Sequence, residues 1–205
     1  MARKPNIASK KQPRQARSIA TVAAIVEAAT YILSHGGLAD FTSNKVAERA
    51  GVNVASFYQY FPNKEALLFH IVKRTWEEQL ARLEPILTRG NASPTERLRA
   101  FVRELMLVEA AEAELRRGLR AASVELRDTP EFKALLARGT ALFHDFLADA
   151  LGERVHNALD FAVETTAILI TSFTERATDE QQSKHHLLRQ ADFLADLLIA
   201  RFDLA

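Results

Sequence analysis

The chain has 205 residues, 48% of them hydrophobic and 26% charged, so it can bury one or two cores and is too apolar to be disordered throughout. It contains no cysteine, which excludes disulfides, thiolate metal sites and a cysteine nucleophile and suits a reducing cytoplasm. The net charge of +1 hides a division: residues 1–75 carry 11 Lys and Arg against 4 Asp and Glu, a net of +7, and the remainder carries 16 against 22, a net of −6.

Arg3, Lys4, Lys10, Lys11, Arg14 and Arg17 all precede the first acidic residue, Glu27. Residues 1–17 are expected to form a disordered basic arm that condenses on phosphate or in a minor groove, although such a tail also serves solubility alone. No apolar stretch and small-residue cleavage site follow the basic residues, so they do not read as a signal peptide. No apolar run reaches the roughly 18–20 residues needed to cross a bilayer, and no membrane partner is expected.

A first helix is predicted over 18–34, with Val22, Ile25, Val26, Ala29, Ile32 and Leu33 on its buried face and Gly36-Gly37 stopping it. Thr42 or Ser43 caps the next helix, on which Val46, Ala47 and Ala50 recur at three- and four-residue spacing while Glu48 and Arg49 stay solvated. Gly51 then stands where a helix ends in the left-handed conformation that glycine adopts without steric cost. Val52 packs down, and Asn53 is an N-cap candidate for a helix over 54–60. That helix is too short to be stable alone. Burial of Phe57, Tyr60 and Phe61 must hold it, which leaves Val54, Ala55, Ser56, Tyr58 and Gln59 facing outward. Two helices about a tight glycine turn make a helix-turn-helix, a form that also occurs in all-α proteins that never touch DNA.

Pro62 enforces the next turn, and Asn63 caps a long helix over 64–87 that ends near Gly90 and connects a domain over 18–75 to a second over 76–205. Ser93, Pro94 and Glu96 form a strong start signal for a helix to 108. Helices are also expected over 113–126, over 130–151 behind Thr129, over 153–177 and over 182–202. No period-two strand pattern appears. The fold class is therefore all-α, an N-terminal three-helix helix-turn-helix domain followed by a helical bundle.

The last two helices are apolar on more than one face and so need more than one partner. One stripe carries Leu159, Val163, Thr166 and Ile170, and its counterpart carries Leu187, Ala191, Leu194 and Leu198. Phe161, Ile168, Leu169, Phe193, Leu197 and Ile199 lie beyond those stripes. The chain's own core satisfies the pattern, and so does the same pair of helices from a second subunit.

For a small-molecule pocket in the bundle, Trp76, Phe101, Met106 and Phe143 are candidate walls and Glu109, His144 and Thr165 candidate polar groups. Ordinary core packing or solvation explains each of them as well. There is no Gly-rich phosphate loop, metal-spaced His or carboxylate set, or Gly-x-Ser-x-Gly elbow, and His185-His186 reads as a solvated loop. Neither enzyme chemistry, nor a metal, nor a cofactor is expected.

The motifs come together in one specific run. A first helix ending at His35-Gly36-Gly37, the capping Thr42, the AERAGV turn, the aromatic run FYQYF and the helix opening NKEALL follow one another within 17–74. This stretch resembles the DNA-binding domain of the TetR family of bacterial transcriptional regulators. The resemblance implies that Thr42, Tyr58 and Lys64 hold DNA phosphates, and that Asn44, Val54, Ala55, Ser56 and Gln59 lie at or near the bases. The residues' own positions agree in part. Lys64 stands in the first turn of its helix, and Ser43 beside Thr42 offers a hydroxyl and an N–H to phosphate. Val54-Ala55 departs from the polar residue and glycine common in relatives, and Val54 suits a thymine methyl.

The resemblance also implies a homodimer formed by the last two helices, with Leu159, Val163, Thr166, Ile170, Leu187, Ala191, Leu194 and Leu198 as its interface. The expected protein is thus a cytoplasmic repressor. As a homodimer it binds double-stranded DNA at a palindromic operator, and a small-molecule effector in the second domain releases it. The competing reading is an architectural or protein-interaction module on the same fold that answers to no small molecule.

Overall fold

The computed structural model describes residues 6–7, 15–36, 38–88, 91–152, 159–179 and 182–204. Among them the regular structure is helical throughout: α1 (Ala16–His35), α2 (Ser43–Arg49), α3 (Val54–Tyr60), α4 (Lys64–Thr88), α5 (Pro94–Ala111), α6 (Ala113–Ala122), α7 (Pro130–Leu151), α8 (Leu159–Asp179) and α9 (Lys184–Phe202). Short 3-10 turns at Leu38–Asp40 and Val124–Leu126 supplement these. The chain divides into two compact units, Met1–Thr75 with Glu114–Lys133, and Trp76–Ala113 with Ala134–Ala205.

The local signals are realised where the chain needs them. Thr42 Oγ1 accepts from Lys45 N at 3.3 Å, Asn53 Oδ1 from Ala55 N at 2.8 Å and Asn63 Oδ1 from Ala66 N at 2.7 Å, so α2, α3 and α4 each start on a capped N–H. Gly51 takes φ +65°, and the bonds from Gly51 N to Glu48 O and from Val52 N to Ala47 O, both 3.0 Å, close the end of α2. Ser93 and Glu96 cap α5 reciprocally, the Ser93 N–H donating to Glu96 at 2.8 Å and the Glu96 N–H to Ser93 Oγ at 3.3 Å.

The first unit is built around Ile25, Ala29 and Leu33 of α1, Val46 and Ala47 of α2, Phe57 of α3 and Phe61, with Leu67 and Ile71 of α4 closing the core. α1 is long and apolar enough to cross a membrane, a property that buried core helices share and that the expectation from apolar runs missed. Its Ile25, Val26, Ala28, Ala29, Ile32 and Leu33 are instead buried in this core.

Residues 114–133 do not join the second unit, as a single domain over 76–205 requires. Leu119, Leu126 and Phe132 belong to the first core. Gly118 permits the closest part of this packing. A Cβ there would lie 2.2 Å from the Leu33 carbonyl oxygen, so only glycine lets α6 approach the end of α1 this closely.

In the second unit α5 packs on α8 and α9. Leu98, Val102 and Met106 of α5 meet a core that includes Val163 and Ile170 of α8 and Leu187, Ala191, Leu194 and Leu198 of α9. Ion pairs rim it. Arg103 donates to both carboxylate oxygens of Asp192 at 2.5 and 2.9 Å, and Arg99 donates to Asp196 at 2.5 Å. The Arg103 hydrogen bonds hold the Asp192 carboxyl below the ordinary carboxylate range. The contribution is therefore present above the ordinary carboxylate pKa and is lost as pH falls through the depressed one. Exposed as the pair is, it is small.

The Gly118 contact makes a direct test. Gly118→Ala should lower the free energy of unfolding of the first unit by about 1–3 kcal/mol through overpacking against α1, measured by urea denaturation. An unchanged denaturation midpoint would show that α6 does not make this approach.

Candidate nucleic-acid interface

The face of the first unit that can meet DNA is set by what α3 buries. Phe57 is fully buried and Tyr60 and Phe61 nearly so, with the Phe57 and Phe61 rings 5.9 Å apart. These residues consume one side of a two-turn helix. Val54, Ala55, Tyr58 and Gln59 are consequently exposed, and Ser56 is half-buried at the margin. Asn44 on α2 is exposed too. Val46 and Ala47 are buried, and Ala50 and Val52 pack against the same core, as the apolar stripe requires. Gly51 itself is exposed.

The candidate phosphate-binding groups flank this surface at helix starts. Thr42 and Ser43 are half-buried at the start of α2, and Lys64 is half-buried in the first turn of α4. Tyr58 is 43% exposed, its ring edge-on to Phe57 at 5.3 Å. The two cations of α2 are engaged locally. Lys45 pairs with Asp40, and the Arg49 guanidinium lies 3.2 Å over the Tyr31 ring, which also stacks on His35 at 4.3 Å.

Within the stretch expected to form a disordered arm, residues 6–7 and 15–17 are described. Ala16 and Arg17 belong to α1, and Ile7 is 4% exposed within the first core. Asn63 Nδ2 donates to the Asn6 carbonyl at 3.0 Å. Arg3, Lys4, Lys10, Lys11 and Arg14 lie outside the described residues. A lone Ile in a basic, proline-punctuated segment was the only signal for this contact.

The second unit corrects the expected interface stripe. Val163, Thr166, Ile170, Leu187, Ala191, Leu194 and Leu198 are all buried within this one chain, and Leu159 packs against the same core. Of the eight, the partly buried Leu159 alone keeps appreciable exposed surface in the single chain. The apolar side chains that α8 and α9 turn outward are Phe161 (72% exposed), Ile168, Leu169, Phe193 (65%) and Leu197. Periodicity identifies two apolar faces on each helix and not which of them the chain's own α5 covers.

Among the pocket candidates, Phe101, Met106 and Phe143 lie in the second core, with the Phe101 and Phe143 rings 6.1 Å apart. Glu109 accepts from Gln79 Nε2 at 2.8 Å, and Gln79 is buried. The indole Nε1 of Trp76 is buried with no hydrogen-bond partner among the described residues. A Cβ on Gly139 of α7 would come within 3.0 Å of that ring. Two candidates fall away. Thr165 is exposed on the outer face of α8, and His144 is a half-exposed group between the carboxylates of Asp145 (3.4 Å) and Asp160 (3.7 Å). The side chains of His185 and His186 are exposed, and no group of three metal-type side chains forms among the described residues.

Residues 25–71 match the sequence model described as bacterial regulatory proteins, tetR family. An uncharacterised HTH-type transcriptional regulator of Mycobacterium tuberculosis is 30% identical over 151 residues, covering 74% of this chain and 68% of that protein. Two solved structures share the fold. The fatty acid degradation regulator FadR from Bacillus halodurans superimposes with a TM-score of 0.73 at 16% identity, covering 95% of this chain and all of that one. FadR from Bacillus subtilis, solved in complex with stearoyl-CoA, gives 0.68 at 20% identity, covering 87% and 97%.

The expected division between phosphate-holding and base-reading residues can be tested directly. Lys64→Ala should weaken binding to every duplex alike, whereas Gln59→Ala should change the ranking of single-base variants of a selected site, each good base contact being worth about 1–3 kcal/mol. Binding titrations across such a variant set check this, and an unaltered ranking in Gln59→Ala would remove Gln59 from base reading.

Proposed function

The chain belongs to the tetR family of bacterial regulatory proteins, and from that premise we propose that it is a cytoplasmic repressor that binds a palindromic operator as a homodimer and leaves it when a small molecule occupies the second unit. DNA binding through the helix-turn-helix comes with the family. Thr42, Ser43, Tyr58 and Lys64 hold phosphates in this reading, and Asn44, Val54, Ala55, Ser56 and Gln59 face the bases. Val54 and Ala55 offer only apolar contact, so hydrogen-bonded readout rests on Asn44, Ser56 and Gln59.

The observation that carries the dimer is the outward apolar stripe of α8 and α9. Phe161, Ile168 and Leu169 recur at helical spacing on one helix, and Phe193 and Leu197 on its neighbour, and all are exposed in the single chain. An apolar stripe of this kind marks an interaction surface, and a second copy of the same two helices covers it by two-fold symmetry. Dimerisation also supplies what a palindrome demands, two recognition helices about 34–36 Å apart.

Two features support an effector. Among the described residues the buried Trp76 donor has no partner, and one turn along α4 Gln79 is already paired with Glu109 of α5. A buried unsatisfied N–H costs about 1–3 kcal/mol, which a ligand acceptor recovers. The stearoyl-CoA bound to the B. subtilis FadR is consistent with a helical domain of this fold admitting an amphipathic molecule. The effector would act by favouring a state in which the recognition helices no longer match successive major grooves, its affinity difference between the two states opposing DNA.

Charge on the exposed stripe tests the dimer without touching the core. The double variant Phe161→Glu with Phe193→Glu should sediment as a folded monomer with an unchanged melting temperature. Its affinity for a selected palindrome should fall by roughly a thousandfold, towards the non-specific level. Leu194→Glu, by contrast, puts a carboxylate into the chain's own core and should lower the melting temperature itself. A native chain that is monomeric at micromolar concentration and still binds the palindrome tightly would end the dimer reading.

The single tryptophan reports on the effector. Any compound that releases the DNA should also shift Trp76 emission, and Trp76→Phe should bind DNA normally while responding more weakly to that compound. Release with the emission unmoved would place the effector elsewhere.

A further inference from the structure

Two charged side chains stand in the outward stripe of α8 and α9. Glu164 lies one turn before Ile168, and Arg189 lies one turn before Phe193. Both are exposed, and neither has an ion-pair or hydrogen-bond partner among the described residues. The nearby acids of α9 are committed elsewhere, Asp192 to Arg103 and Asp196 to Arg99. The two charges also occupy opposite ends of the stripe. The connection from Asp179 to Lys184 is too short for a crossover, so the packed helices run antiparallel. Ile168 and Phe193 lie at similar distances from that connection along their helices. One turn before each of them therefore leads in opposite directions.

This arrangement chooses between the ways in which two copies can stack their stripes. A two-fold axis parallel to the helices sets Glu164 level with the partner's Glu164, and Arg189 level with the partner's Arg189. Like charges then share each end of the interface, which is disfavoured. An axis running across the helices exchanges the ends instead. It brings Glu164 towards the partner's Arg189, and symmetry makes the same contact twice.

We propose that the dimer forms about a two-fold axis across α8 and α9, centred near Ile168 and Phe193, with two ion pairs between Glu164 and the partner's Arg189. The inference rests on the dimer reading above and deepens it by fixing the register. The exposed apolar side chains supply the attraction, and the charges decide which end meets which. A second regulator of this fold whose stripe lacks the complementary charges makes a poorer partner.

Charge exchange tests the register, read as the dimer dissociation constant of the full chain by sedimentation equilibrium. Glu164→Arg and Arg189→Glu each create two like-charge contacts per dimer. Either alone should weaken the dimer by about tenfold in roughly 0.15 M salt. The two substitutions in one chain restore opposite charges and should return the constant to within about threefold of native. An equal mixture of the two single variants should form heterodimers for the same reason. In about 1 M salt the defect of each single variant should shrink, as a packing defect would not. Should a single variant melt early, Glu164→Gln and Arg189→Gln serve in its place, their losses in combination falling short of additive. Single variants that dimerise like the native chain, or a double variant no better than either single one, would overturn the register and leave the dimer standing. A native chain that stays monomeric would overturn the dimer reading itself, and the register with it.

Discussion

A seven-residue helix does not hold its shape in water, and every statement about DNA recognition by this protein rests on how α3 is made to do so. The restraint is the burial of Phe57, Tyr60 and Phe61 in the core of the first unit. Burying an aromatic of this size is worth roughly 1.5–3 kcal/mol, so the three together stabilise a helix that its own hydrogen bonds would not hold. The same burial decides the function. It commits one side of α3 to the core and leaves Val54, Ala55, Tyr58 and Gln59 as the surface that a major groove would meet. Gly51 at φ +65° and the Asn53 cap set the angle at which that surface is presented.

The core that holds α3 is not assembled from neighbouring sequence alone. α1 and the start of α4 supply Ile25, Leu33, Leu67 and Ile71, and residues 114–133, which follow α5 in sequence, add Leu119, Leu126 and Phe132. Ile7 enters from the opposite end of the chain. The DNA-binding unit is thus closed by a segment that follows the first helix of the second unit. α4 contributes to both units, its residues as far as Thr75 to the first and those from Trp76 to the second.

What the sequence disclosed and what it withheld divide along a physical line. Caps and turns are written in one or two residues, and Gly51, Asn53, Asn63 and the Ser93–Glu96 box were readable because each acts on its own neighbours. The apolar pattern likewise announced α8 and α9 and showed each to be apolar on two sides. It did not say which side α5 would take, because periodicity fixes where a face lies and not what covers it. Val163, Leu194 and Leu198 went inward and Phe161, Phe193 and Leu197 outward. Long-range contacts were hidden for a related reason. That α6 reaches Leu33 depends on the absence of a Cβ at Gly118, and nothing in the composition of 113–122 points to a partner so far upstream. Ile7 was a single residue with no period to belong to. Among the pocket candidates Thr165 fell on the outward side through the same choice of face on α8, whereas the Trp76 indole, without a hydrogen-bond partner among the described residues, emerges only from the fold.

In the proposed dimer two copies of α3 reach one duplex together, held by the outward stripe of α8 and α9. A hydroxyl-radical footprint on DNA selected by the purified protein measures this most directly. The account predicts two protected patches related by two-fold symmetry, on one face of the duplex and about 10–10.5 base pairs apart from centre to centre, or a multiple of that spacing. A single patch, or protection without symmetry, would contradict it.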